Sequence, residues 1–264
     1  MKSAILLTAI IAGIGIVYDS IEFYQERTEV LQYFYNWRVV RSRFYVLIRR
    51  PVLAFFLDSV FAPGTFLALV MAHGVAAVLF PVVFYFNAPI AALIALFILA
   101  VHGLINIRLL VGRDGADQMQ NIIWAGLFAV CLPLNETVRW VAIGFIIAQL
   151  VLSYLTSGIA KLLSAVWRDG SGVQLITRMA TYCPPGIAGL FRNRRLSFIT
   201  CWLIILFEIF SPLLLFFGQT GVIVFITLGT LFHASIAVAM GLTTFVFAFV
   251  ATYPVLYVFV MHWG

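Results

Sequence analysis

Ionisable residues are scarce in the second half of this sequence, so the few that interrupt its apolar runs are the candidates for chemistry. Lys161, the only lysine after Lys2, closes a long hydrophobic stretch and is preceded at intervals of four by Ser157, Ser153 and Gln149. On a helix these four residues share one face, a polar stripe on an otherwise apolar surface. Glu208 and His233 are the only ionisable residues of the next apolar stretches before His262. A lysine, a carboxylate and an imidazole in three separate segments, each costly to place in lipid, suggest a shared site. Glu208 could pair with Lys161 and hold it charged, or pair with an arginine; an unpaired Lys161 in an apolar pocket would be a usable base. His233, with Thr227 and Thr230 one and two turns before it, could donate a hydrogen bond to developing negative charge. The plainer alternative is that Lys161 snorkels to the interface and the polar groups serve helix packing.

The elements that must position these residues are membrane elements. The chain has 264 residues, is 64% hydrophobic and 10% charged, and has a mean hydropathy of +1.09. Soluble domains are about half apolar and about a quarter charged. The expected class is therefore all-α, a polytopic transmembrane helical bundle of about eight spans. It reads as one domain over residues 1–264, because no repeat or linker divides it. The net charge of +6 is concentrated in loops, where it reads as a topology signal and an affinity for anionic lipid rather than for nucleic acid. Cys131, Cys183 and Cys201 are odd in number and scattered, which indicates neither a disulfide framework nor a thiolate metal site. No HExxH, GxSxG, GxGxxG or phosphate-loop pattern occurs, and no metal is expected.

In chain order, residues 4–18 read as a retained first helix, since no small-residue cleavage site follows them. Residues 19–63 mix acidic, basic and aromatic side chains and read as an interfacial loop, with 44–62 able to dip into the membrane. Spans 65–86 and 88–110 are joined at Asn87 by too little polar sequence for anything but a tight hairpin; they carry His73 and His102, read as bundle-facing hydrogen-bonding residues. A polar turn at 112–120, in which Asp114 or Asp117 could cap a helix, leads to a short span ending near Leu134. Residues 138–165 form the long helix that carries Lys161. A second interfacial loop, 165–197, contains Pro184-Pro185-Gly186 and the basic cluster Arg192, Arg194 and Arg195. The last spans are expected at about 198–217, 220–240 and 242–262.

With eight spans, all of the sixteen basic residues except Lys2, Arg139 and Lys161 fall in the loops after the first, third and fifth or, for Arg108, at the end of the third span. The positive-inside rule then makes those loops cytoplasmic and both termini external.

The run from Tyr154 to Gly170, YLTSGIAKLLSAVWRDG, resembles the signature of the HTTM membrane domain shared with vitamin K-dependent γ-glutamyl carboxylase. Glu208–Gly218, EIFSPLLLFFG, and Phe232–Phe247, FHASIAVAMGLTTFVF, are similar to later blocks of that family, in the same order. The resemblance implies that Lys161 and His233 are catalytic, and that His233, Glu208, Asp117, Gln118 and Trp167 hold the cofactor. That cofactor would be a reduced isoprenoid quinone of the vitamin K or menaquinol type, with the lysine removing its proton. Where the carboxylase relatives carry an Asn-His pair, this sequence has Asp117-Gln118, so the histidine's role is not filled by the same residue type. The chain also stops at Gly264 without a large extra-membrane region. The expectation is a small-molecule or peptide substrate, or a partner protein for substrate recognition.

Two functions stand at this stage. One is a multi-pass protein of the bacterial inner membrane that binds a quinol and carries out a carboxylation or oxygenation with Lys161 as general base. The other is a non-enzymatic membrane partner in maturation, export or immunity for a secreted peptide. A transporter is disfavoured, because no Gly/Pro-broken segments occur in matching halves.

Overall fold

The computed structural model describes residues 1–27, 37, 41, 49–108, 115–178 and 183–263. Every regular element among them is helical. Six helices are long and apolar enough to cross a membrane. The difference from eight has two sources. The helix at Gly115–Cys131 has only 17 residues, and Arg194–Met240 is one continuous 47-residue helical stretch. That stretch is not a single rod, because the Phe207 and Phe232 rings lie 5.0 Å apart. Twenty-five helical residues would separate them by about 37 Å, so the chain reverses between them.

The chain divides into two compact units, residues 9–135 and residues 1–8 with 136–264. The first holds most of α1 (Lys2–Gln25), then α2 (Pro51–Val60), α3 (Pro63–Phe86), α4 (Ala88–Arg108) and α5 (Gly115–Cys131). The expected hairpin is present: Asn87 alone joins α3 to α4, and its side-chain oxygen accepts from the N–H of Ile90. Small residues let α1 and α3 approach. A Cβ on Gly13 would lie 3.1 Å from the Ala77 carbonyl, and one on Gly74 would lie 3.0 Å from Ser20 Oγ. Ser20 donates to the Ile16 and Val70 carbonyls. Leu57, Phe61, Phe66 and Val70 form a buried cluster. Beside it the guanidinium of Arg108 lies 4.2 Å from the Phe66 ring centroid and donates to the Phe61 carbonyl, two contacts that offset part of the cost of burying a charge. Of the first interfacial loop, Trp37 donates to Asp58 at 2.6 Å and Arg41 pairs with it at 3.0 Å; residues 28–36, 38–40 and 42–48 lie outside the described residues.

The second unit contains α6 (Glu136–Leu163), the short helices α7 (Ala165–Arg168), α8 (Ser171–Thr177) and α9 (Pro185–Leu190), then α10 (Arg194–Phe210), a 3-10 helix (Ser211–Phe217), α11 (Gly218–Met240), α12 (Thr243–Val250) and α13 (Tyr253–Trp263). At 28 residues α6 is the longest of these helices, and it ends two residues past Lys161. Gly158 is where α6 meets α10: a Cβ there would lie 2.8 Å from Ile209 Cγ1 and 3.0 Å from Glu208 Cβ. Past Leu163 the chain turns at Gly170, which has φ +82 and packs so closely on Phe198 that a Cβ would lie 2.6 Å from its Cα. Only glycine meets both conditions. Ser197 donates to the Gly170 carbonyl at 2.6 Å and Trp202 to the Arg168 carbonyl at 3.3 Å, so the start of the second interfacial loop is tied to α10. Asn193 caps α10 by accepting from the N–H groups of Arg195 and Leu196.

Candidate functional site

Lys161 sits on the last turn of α6 with Ser157 one turn before it, and Gly158 allows α10 to bring Glu208 within reach. Lys161 Nζ donates to Glu208 Oε2 at 2.8 Å and Oε1 at 2.9 Å, and also to Ser157 Oγ. Ser157 in turn donates to Glu208 Oε1 at 3.1 Å. Three protons of Lys161 and one of Ser157 thus meet three acceptor oxygens in a closed set, the condition under which an ion pair is tolerated away from water. The Glu208 side chain is 6% exposed and that of Lys161 19%, so the carboxylate is the more deeply placed partner. The Trp167 ring centroid lies 5.2 Å from Lys161 Nζ, and the indole is seated against Gly172, where a Cβ would lie 2.9 Å from it.

One turn before Ser157, on the same face of α6, Tyr154 places its hydroxyl 2.9 Å from His233 Nε2 on α11 and 3.4 Å from the Tyr253 hydroxyl on α13. The His233 ring is stacked on Phe249 at 4.1 Å, with Phe232 and Phe245 beside it. Its Nδ1 is buried and has no hydrogen-bond partner among the described residues. The expected neighbours Thr227 and Thr230 instead donate to carbonyls of their own helix, Ile223 and Ile226.

These groups surround one cavity of about 600 Å³. Lys161, Glu208, His233, Trp167, Tyr154 and Ser157 all line it, and the rest of its wall is largely apolar, supplied by α8 to α12. The volume lies within the 300–1,000 Å³ typical of small-molecule sites, and a mostly apolar wall with a few convergent polar groups is their usual make-up.

Asp117 and Gln118 are not among the residues of this wall. They lie in the first turn of α5, in the other unit, where Asp117 Oδ1 is 4.0 Å from His102 Nε2 and Gln118 is exposed. The His102 and His73 rings are 5.7 Å apart. Asp114 lies outside the described residues. Among the described residues, no group of three or more His, Cys, Asp or Glu side chains is placed to hold a metal ion. Tyr154 and Tyr253, which the sequence did not single out, belong to the polar set; their one legible signal is a tyrosine on the Ser157–Lys161 face of the same helix.

Comparison with known proteins gives no match: no family model, no curated protein and no solved structure corresponds to this chain.

Proposed function

We propose that this chain is a multi-pass membrane protein of the HTTM type whose second unit takes a reduced isoprenoid quinone from the bilayer and uses the Lys161–Glu208 pair to remove a proton from it, in a carboxylation or oxygenation of a peptide or small molecule. The observation that carries this reading is the convergence of Lys161, Glu208 and His233 on one apolar cavity. When bound, such a quinol supplies a phenolic proton and two reducing equivalents. The chain's own residues bind, orient and move the proton. In its ion-paired form Lys161 has no free lone pair, so it becomes a base only once its own proton rests on Glu208; the pair as a whole accepts one further proton. Ser157 bridges the two and keeps them in register. Trp167 and the apolar wall exclude water, which strengthens every charge interaction inside. The finer membrane assignment belongs to the same proposal: about eight crossings, with α5 as one and Arg194–Met240 as two, in a bacterial inner membrane.

The closed hydrogen-bond set around Lys161 also favours a second reading. A lysine whose three protons are all accepted by its neighbours is what helix packing alone would need, and the chain would then be a non-enzymatic partner for a secreted peptide. Binding and aerobic oxidation of a menaquinol-type quinol by purified protein separates the two. The enzyme reading expects binding by wild type, oxidation abolished in Lys161→Ala, and weakened binding in His233→Ala with the fold intact. Oxidation indifferent to Lys161, or no binding at all, overturns it.

A further inference from the structure

The hydrogen bonds around His233 form one chain with Tyr154 and Tyr253, and the direction of that chain determines what the ring offers to the cavity. Tyr253 is 3% exposed, and its hydroxyl has a single hydrogen-bond partner among the described residues, the Tyr154 hydroxyl. The Tyr154 hydroxyl has two, Tyr253 and His233 Nε2. Gly229 makes the convergence possible, since a Cβ there would lie 2.3 Å from the Tyr253 hydroxyl and 3.1 Å from that of Tyr154.

Two arrangements of protons are open to this chain of three. In one, Tyr253 donates to Tyr154, Tyr154 donates to Nε2, and the neutral imidazole carries its proton on Nδ1. In the other, Nε2–H donates to Tyr154 and Tyr154 donates to Tyr253. The second leaves the Tyr253 O–H without an acceptor and Nδ1 without a donor; the first leaves only Nδ1–H open. Each leaves one buried donor without an acceptor, but the second also leaves Nδ1 without a donor, so the first has one unsatisfied group fewer and is favoured. An oxygen that arrives in the cavity with lone pairs completes the first arrangement, whereas no occupant that bonds Nδ1 can relieve Tyr253 in the second.

We infer that Tyr253 and Tyr154 are positioning residues that fix His233 as an Nδ1–H donor, so that the ring can hold a head-group oxygen by donating to its lone pair. This rests on the proposed function for the nature of the occupant, but not for the state of the ring. The same assignment gives the two ends of the polar set different tasks: the Lys161–Glu208 pair takes the proton, and His233 donates to an oxygen.

The test is ¹⁵N NMR of the full-length protein labelled at histidine, at neutral pH in detergent micelles, with the His233 signals assigned as those lost in His233→Asn. The expected result is a protonated Nδ1 and a bare Nε2 in the unaltered protein, with the two tautomers mixed in Tyr253→Phe, where Tyr154 has lost its donor. A protonated Nε2 in the unaltered protein, or a tautomer ratio that Tyr253→Phe leaves unchanged, overturns the inference. Menadione, which has carbonyl oxygens and no hydroxyl, is then added as the probe. A shift of the Nδ1–H resonance, with binding about tenfold weaker in Tyr154→Phe, supports donation from Nδ1 to an oxygen of the occupant. An Nδ1–H tautomer with no response to menadione overturns the quinone reading of the cavity, while the tautomer assignment stands.

Discussion

Gly158 lies directly against Glu208: a Cβ on the glycine would sit 3.0 Å from the Glu208 Cβ and 3.1 Å from the Ile209 backbone nitrogen. The carboxylate therefore reaches Lys161 because the residue three positions before the lysine has no side chain. Gly158→Ala should push α10 away and lengthen the ion pair, destabilising the protein by about 1–3 kcal/mol, as overpacking of a close contact does. Thermal unfolding in detergent measures this, and an unchanged melting temperature would mean that α10 moves freely.

The two halves of the ion pair should not be equivalent. Lys161→Met leaves the Glu208 carboxylate, 6% exposed, without its partner, while Glu208→Gln leaves an ammonium that is 19% exposed and better able to reach water. Breaking a buried pair costs about 3–5 kcal/mol when the remaining charge is trapped. We expect Lys161→Met to approach that range and Glu208→Gln to fall below it, with the double variant more stable than Lys161→Met alone. Unfolding midpoints of wild type and the three variants form the cycle, and additivity would count against a direct pairing.

Gly229→Ala should disrupt the tyrosine pair, because the new methyl would meet the Tyr253 hydroxyl at 2.3 Å and the Tyr154 hydroxyl at 3.1 Å. Removing that hydroxyl as well, in Gly229→Ala with Tyr253→Phe, should recover part of the lost stability. The comparison of melting temperatures checks it; no recovery would place the clash elsewhere.

Outside the membrane segments, the Asp169 carboxyl is held below its usual value by hydrogen bonds from the Ser171 hydroxyl, at 2.5 Å, and the Ser171 N–H, at 2.8 Å. A lowered folded-state value means that the charged form is the stabilising one. Its contribution is complete above the ordinary carboxylate value of 3.8 and is lost as pH falls below it through the lowered folded value. Asp169→Ala should therefore melt lower than wild type at pH 6, and the gap should close as pH is lowered below 3.8. A gap independent of pH would mean that the aspartate acts by shape rather than charge.

The orientation read from arginine placement predicts that Arg192→Cys reacts with a membrane-impermeant maleimide from the cytoplasmic side of inverted vesicles. Cys131, Cys183 and Cys201 are all buried, which keeps the background low. Labelling from the opposite face would reverse the topology.

Much of the helical outline was legible because the apolar runs are long and some of their ends are marked: Asn87 between two spans, and Gly241 with φ +71 after α11. Lys161, Glu208 and His233 stood out for one physical reason, that each is ionisable in a stretch where ionisable groups are costly. That they line one cavity follows from packing, which periodicity does not encode. Tyr154 and Tyr253 escaped notice because tyrosine is ordinary in membrane segments and the two are 99 residues apart. Asp117 and Gln118 were read by alignment to a pattern, and the structure puts them in a different unit from the cavity. The reversal at the 3-10 segment Ser211–Phe217 falls where the spans 198–217 and 220–240 are expected to part, so the count differs because that helical stretch is unbroken and α5 has only 17 residues.

The loop after Lys161 is hydrogen-bonded to α10 through main-chain groups, the oxygens of Arg168 and Gly170 and the N–H of Val173, which donates to Cys201 Sγ. Its cavity-facing residues Ile176, Ile187 and Leu190 take no part in those hydrogen bonds. They are free to change in size and shape while the proton-handling groups on α6 and α10 stay where they are. The fold thus separates the part of the pocket that adapts to a new tail from the part that must stay constant for chemistry at the head, so a change of ligand could arise one substitution at a time.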